Sequence, residues 1–178
     1  AELGIARTFQ NLALFPTMSL LENVMVGAHS QGSVGFVQAI TRIGAQKENR
    51  RIRDVSFDLL RDLNLEKLAH HPAAGLPFGT LKRLEIARAL AAAPRFLLLD
   101  EPAAGLTHSE VDELADTIVA IRDKFKLTVL LVEHHMSMVM KISDQVVAME
   151  FGRKIAEGTP SQVQSDANVI RAYLGGEV

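Results

Sequence analysis

The chain contains no cysteine, so disulfides and thiolate metal sites are excluded, and a cytosolic setting is compatible with its chemistry. It has no strong excess of either charge. A formal net charge of -2 over 178 residues gives neither the electrostatic footprint of a nucleic-acid binder nor a polybasic membrane patch. Every apolar run falls far short of the roughly 18 residues that a membrane-crossing helix needs. The opening AELGIARTFQ lacks the charged stretch followed by an apolar one that marks a secretory signal. A Gly-Lys pair is missing too. None of the twelve glycines precedes a lysine, so the phosphate-cradling pattern G-x-x-x-x-G-K-[ST] occurs nowhere. These absences describe a soluble protein, or a soluble piece of one. Its 48% hydrophobic residues are enough for a core in one domain or a domain with a small lobe.

Residues 4–10 (GIARTFQ) read as a short strand ending in a polar residue. Between Pro16 and about Gly75 no convincing strand occurs. SLLENVMVGAH is helical in pattern, and KENRR (Lys47 to Arg51) reads as a solvated helix start. An amphipathic helix follows, with Ile52, Val55, Leu59, Leu60 and Leu63 expected on one face. This texture predicts a helical lobe inserted into an α/β core, with residues 16–78 in the lobe and residues 1–15 and 79–178 in the core.

From Thr80 onward helices and strands alternate. TLKRLEIARALAAA is helical by composition, and Phe96–Leu99 reads as a strand buried on both faces. Thr107 and Glu110 form a T-x-x-E capping box opening a helix with Val111, Leu114, Ile118, Ile121 and Phe125 on its apolar face. LTVLLV gives another buried strand, DQVVAME a third and GRKIAEG a fourth, and DANVIRAYLG ends the chain as a short helix. The alternation argues for an α/β fold with a parallel sheet.

The stretch RFLLLDEPAAGL carries the chemistry. Four apolar residues run into two adjacent carboxylates, Asp100 and Glu101, at the carboxyl end of a strand, where open α/β sheets bind ligands. Such a pair repels itself unless a positive group arrives, and a metal ion is the obvious candidate. A strand of this form is the Walker B pattern, in which the first carboxylate serves Mg²⁺ and the second orients or deprotonates a water. A strand-end Asp-Glu pair also opens ordinary loops and caps helices. Upstream, AGLPFGTLKRLEIARAL places Gly79 directly before a helix whose first turn reads Thr80, Leu81 and Lys82. Such an N-terminus favours an anion, although a Gly turn before a surface helix reads the same way.

With these segments in this order, the sequence resembles the ATP-binding subunits of ABC transporters. LPFGT lies where that family has its LSGGQ-type signature, followed by RLEIARAL and LLLDEPAAGL. The resemblance implies that Pro77, Phe78, Gly79 and Thr80 meet the γ-phosphate of ATP bound by a partner subunit. It implies that Asp100 serves Mg²⁺ and that Glu101 is the catalytic base. Ala103, Ala104, Gly105 and Leu106 correspond to the D-loop between the two subunits. Gln10 matches the glutamine that touches Mg²⁺ and the attacking water and faces the membrane subunit, and His134 matches the switch histidine on the γ-phosphate. GIARTFQNLALFPTMSLLENVMVGAH, the Pro-aromatic-Gly signature and VIRAYLG look like the branched-chain amino acid group of the LivG/LivF type.

The implied protein is a peripheral ATPase on the cytoplasmic face of the membrane. It pairs with a second ATP-binding subunit and with permeases, acts indirectly with a periplasmic solute-binding protein, and has no nucleic-acid partner. The alternatives are an ATPase of lipid or lipopolysaccharide export, a soluble non-transport ABC protein and a non-enzymatic binding module. Three departures from the family pattern stand out. Pro77 replaces the signature serine, Thr80 its glutamine, and His135 follows the switch histidine where an acidic residue is common. The paired histidines His70-His71 and His134-His135 are not expected to form a metal site, since neighbours in sequence face apart and no ligand cluster completes one. Because the P-loop pattern is missing, the chain reads as a partial ABC ATPase domain truncated before the Q-loop. Alone it is expected to hydrolyse ATP at background rate and to expose apolar sheet surface.

Overall fold

A computed structural model describes residues 3–8, 12–28 and 45–174. It divides into two compact units, Ala1–Val132 and Glu133–Val178. The first contains β1 (Ile5–Arg7), α1 (Leu20–Ala28), α2 (Ala45–Asp62), a 3-10 turn (Glu66–Leu68), α3 (Phe78–Leu90), β2 (Phe96–Asp100), α4 (His108–Phe125) and β3 (Thr128–Val132). The second contains α5 (Met136–Ile142), β4 (Val146–Glu150), β5 (Arg153–Gly158), α6 (Pro160–Gln164) and α7 (Ala167–Leu174).

β1, β2 and β3 form a sheet in that order, parallel throughout, with Ile5 opposite Phe96 and Asp100 opposite Val132. The expectation of strands covered on both faces is only half met. Leu97 and Leu99 of β2 are buried, whereas Leu130 and Val132 of β3 are 49% and 55% exposed. An unbroken apolar run shows that a strand can be covered on both faces, and only its neighbours determine whether it is.

Helices α1, α2 and α3 pack on one another, and Leu20, Val24, Leu60, Leu63 and Leu84 lose all solvent contact there. Burial of each such side chain contributes roughly 1.5–3 kcal/mol. The α1–α3 approach is close enough to require glycine, since a Cβ on Gly27 would lie 2.1 Å from the Arg88 carbonyl oxygen. The Arg88 side chain in turn donates to the Ala13 carbonyl. Asn23, wholly buried on α1, fastens the segment leading into the helix. Its Oδ1 accepts from the Phe15 amide at 2.8 Å, and its Nδ2 donates to the Phe15 and Ser19 carbonyls, each at 3.0 Å.

The buried face of α2 differs from the expected one by one position. Ile52 and Leu59 are buried, and Leu60 and Leu63 are fully so. Val55, however, is 46% exposed, and Ser56 is buried in its place. The residues 52, 56, 59, 60 and 63 follow the true helical stripe, in which a step of four precedes the step of three. α3 starts at Phe78 with Pro77 as its N-cap, two residues earlier than its composition implied. The core boundary expected after residue 78 therefore falls one residue inside α3.

The Thr107–Glu110 capping box forms at the start of α4 as expected. The helix buries Val111, Leu114, Ile118 and Ile121, while Phe125 stays 37% exposed. In the second unit, β4 and β5 pair antiparallel, so these last two strands do not extend the parallel sheet. They are joined through Phe151 and Gly152, both left-handed at φ 45° and 77°. Two central residues with positive φ match the right-handed twist of a hairpin. A T-x-x-Q capping box, Thr159 with Gln162, opens α6.

Candidate functional site

The parallel pairing of β2 brings Asp100 and Glu101 to the carboxyl end of the first sheet. Arg7, the last residue of β1, places Nη2 2.8 Å from Asp100 Oδ2. Both side chains keep solvent contact, 54% for Arg7 and 30% for Asp100. An exposed ion pair of this kind contributes about 0–1 kcal/mol, so the carboxylate stays available to a stronger cation. Thr8, which is buried, donates its amide to the Leu98 carbonyl at 2.9 Å, and its hydroxyl accepts from the Asp100 amide at 3.4 Å.

Glu101 leaves the strand in the left-handed region, at φ 46°. A non-glycine residue stays there only when its surroundings hold it, and such positions cluster at functional sites. Both of its backbone polar groups are engaged. The amide donates to the Val132 carbonyl at 2.9 Å, and the carbonyl accepts from the Ala104 amide at 3.2 Å. Lys82 Nζ also donates to that carbonyl, at 3.5 Å.

The residues that follow fold back on α3. Ala103 is fully buried, Gly105 turns left-handed at φ 80°, and the Leu106 amide donates to the Ala103 carbonyl at 3.1 Å. A Cβ on Gly105 would stand 3.2 Å from the Phe78 ring, and one on Gly79 would stand 3.0 Å from Glu110 Oε1 and 3.6 Å from Leu106. The segments Pro77–Thr80 and Ala103–Leu106 thus meet through two glycines that admit a neighbour's side chain. At the α3 N-terminus the Thr80 and Leu81 amides donate to the Pro77 carbonyl, and Pro77 provides no side-chain cap. Phe78 is 42% exposed and Thr80 is buried.

His134 belongs to the second unit, at its start. Its side chain is 61% exposed, and its Nδ1 lies 3.8 Å from Glu133 Oε2. The Glu133 side chain is fully buried. Its Oε2 accepts from the His134 amide at 2.8 Å and the His135 amide at 3.1 Å, and it faces His135 Nδ1 at 3.1 Å. The expectation that no ligand accompanies the adjacent histidines is therefore corrected. Glu133, His134 and His135 each offer a ligand atom, all within 4.8 Å of one another. The tight turn after β3 curls the backbone around one carboxylate oxygen, which the strand-like spacing of the residues did not anticipate. That oxygen is already engaged by two amides and a ring, and its evident role is to order the turn.

Of the residues singled out in the sequence, Asp100, Glu101, Pro77–Thr80 and Ala103–Leu106 gather in the first unit, His134 stands in the second, and Gln10 lies outside the described residues. Sequence reasoning passed over Arg7, Thr8, Lys82 and Glu133. Neither Lys82 nor Glu133, which stands three residues before α5, carried a local signal of its role.

The ABC transporter family profile matches residues 2–104, and that of the branched-chain amino acid ATP-binding cassette transporter matches residues 153–178. The chain is 40% identical over 176 residues to the high-affinity branched-chain amino acid transport ATP-binding protein BraF of Pseudomonas aeruginosa, spanning 98% of this chain and 69% of that protein. It is 38% identical to LivG of Escherichia coli, described in the same words, with the same coverage. The lipopolysaccharide export system ATP-binding protein LptB of Haemophilus influenzae is 31% identical over 98% of this chain and 67% of its own length. Among solved structures, the ADP conformation of MJ1267, an ATP-binding cassette of an ABC transporter, superposes with a TM-score of 0.79 at 30% identity, covering 98% of this chain and 70% of that one. The sheet-end carboxylates, the glycine-packed turn and these likenesses converge: this chain belongs to the ABC transporter family, among its ATP-binding subunits.

Proposed function

We propose that this chain is the ATP-hydrolysing subunit of an importer for branched-chain or related amino acids, with Glu101 as the general base. The observation that carries the reading is Glu101 itself, left-handed at φ 46° with its amide and carbonyl both held, ahead of the turn Ala103–Leu106 that packs on the segment Pro77–Thr80. A base that must meet one water benefits from a backbone that cannot drift.

The donor chemistry suits Mg²⁺: Asp100 offers a half-exposed hard oxygen whose present partner, Arg7, holds it weakly. Asp100, and Gln10 by its place in the sequence, would hold the ion, partly through water. When bound, the ion neutralises charge on the phosphates. Glu101 takes the proton of the attacking water. His134, exposed and anchored by its amide to Glu133, donates to the terminal phosphate. The amides of Phe78 and Gly79 at the α3 N-terminus receive the γ-phosphate of ATP held by a second subunit, which offsets the absence of a serine hydroxyl at Pro77.

In this reading residues 1–15 and 79–178 form the ATPase core and residues 16–78 the helical lobe that meets the permeases. Among the described residues no helix is long and apolar enough to cross a membrane, and the likeness to transport ATP-binding proteins supports a peripheral subunit on the cytoplasmic face. The solute is delivered by a periplasmic binding protein.

Glu101→Gln in the assembled transporter tests the catalytic assignment. Hydrolysis should fall by about 10²–10⁴-fold while ATP binding persists. Unchanged turnover would remove Glu101 from the mechanism. A second reading, lipopolysaccharide export, draws on the 31% identity to LptB. The match of residues 153–178 to the branched-chain amino acid profile favours import. Leucine-stimulated ATP hydrolysis in proteoliposomes, with no response to lipopolysaccharide, is the expected outcome.

A further inference from the structure

Lys82 is 2% exposed, which is unusual for an ammonium group, and nothing in the proposed chemistry uses it. A charge taken out of water needs partners to offset its desolvation, and two of those beside Lys82 among the described residues are informative. Its Nζ donates to the Glu101 carbonyl at 3.5 Å and stands 5.4 Å from the centroid of the Phe78 ring. The first partner is the backbone of the proposed base. The second is an aromatic residue of the phosphate-facing segment, whose ring also rests against Gly105. One buried cation therefore joins α3, the turn after β2 and the strained residue between them.

From this geometry we infer that Lys82 is a positioning residue. It holds Glu101 in its left-handed conformation and transmits the placement of Phe78 to the base. The Glu101 amide meets the Val132 carbonyl, and its carbonyl meets the Ala104 amide and Lys82. The first two partners are backbone groups that every sequence supplies at this turn. Lys82 is a side chain, and it also stands beside the Phe78 ring of the segment proposed to face a second subunit's nucleotide. When a phosphate draws the α3 N-terminus and Phe78 into place, Lys82 moves with the ring, and the carbonyl it holds sets the direction of the Glu101 carboxylate. The inference rests on Glu101 being the base and adds how that base is aimed.

The test uses the assembled transporter with its full-length ATPase subunit, comparing Lys82→Met, Lys82→Gln and Lys82→Arg. Methionine removes the charge, and the glutamine amide stops one bond short of the Glu101 carbonyl. Both neutral variants should lower kcat by about a hundredfold, the cost of a base misplaced by about an ångström. KM for ATP should stay within about twofold, because binding is not what has been removed. Lys82→Arg should restore most of the turnover. In a Glu101→Gln background the neutral variants should have no further effect. Wild-type kcat in either folded neutral variant would overturn the inference, as would an equal fractional loss with and without Glu101. The Glu101→Gln arm stands alone: full turnover there would refute the base assignment itself, whatever Lys82 does.

Discussion

The two places where polar residues follow a strand, Asp100-Glu101 and Glu133-His134-His135, are organised in opposite ways. At the first, the partners come from far away in sequence: Arg7 from β1 and Thr8 just after it, Lys82 from α3 and Val132 from β3. At the second, one carboxylate oxygen gathers the two residues that follow it. The first arrangement exists only when the sheet and α3 are assembled, and the second needs three residues and a turn. The contrast extends to the units that contain them. The first unit pairs strands about ninety residues apart and joins Ser19 to Pro72. The second is built from a hairpin with a two-residue turn and a capping box. Chemistry that must respond to a distant event suits the non-local arrangement, because a displacement at any partner reaches the carboxylate.

The strongest way to break this contrast is to loosen the non-local unit. Asn23→Ala leaves the Phe15 amide and the Phe15 and Ser19 carbonyls without their side-chain partner, and should cost about 3 kcal/mol given about 1–3 kcal/mol per unsatisfied buried group. Urea unfolding should show a lower midpoint with an unchanged slope. Glu101→Gly has the opposite sign. Relief of the left-handed strain should raise stability by about 1 kcal/mol, detectable as a higher melting temperature, while hydrolysis is lost. A melting temperature that fell instead would mean the conformation is not strained.

On the local side, Glu133→Gln keeps an oxygen that can accept the same amides, so stability should change by less than about 1 kcal/mol. A urea-unfolding midpoint close to that of the unsubstituted protein is the expected reading. The smallest effect is expected at the α4 cap. The Thr107 amide, then its hydroxyl, donates to Glu110 and holds its carboxyl below the ordinary range. A depressed pKa contributes stability that is present above the unfolded-state value and is lost as pH falls through the folded one. The melting-temperature gap between the protein and Glu110→Gln should therefore be full at neutral pH, begin to shrink as pH falls past the ordinary glutamate value of about 4.3, and close only below the lower folded value.

Much of the architecture was legible because its causes are short-ranged. T-x-x-E at Thr107 marks a helix start within four residues, and the short apolar runs beginning at Phe96 and Leu127 read as the strands they form. Periodicity was less reliable at its edges. Val55 and Ser56 are adjacent, and a one-residue step of helical phase, about 100°, decided which of them is buried, against their hydrophobicity. The site was legible as a set of residue types in order. The Phe78–Gly105 contact and the Arg7–Asp100 pair were not, since each joins segments whose separation in sequence carries no information about their distance in space.

The sequence by itself determined the element types, the capping boxes, the carboxylate pair at a strand end and the family likeness. All of these arise from residues within a few positions of one another. Only the tertiary structure decided that Glu101 turns left-handed, that Lys82 is buried beneath it and that β3 shows an apolar face. Burial and strain are properties of what packs against a residue, and the identity of that neighbour is set by chain closure over tens of residues.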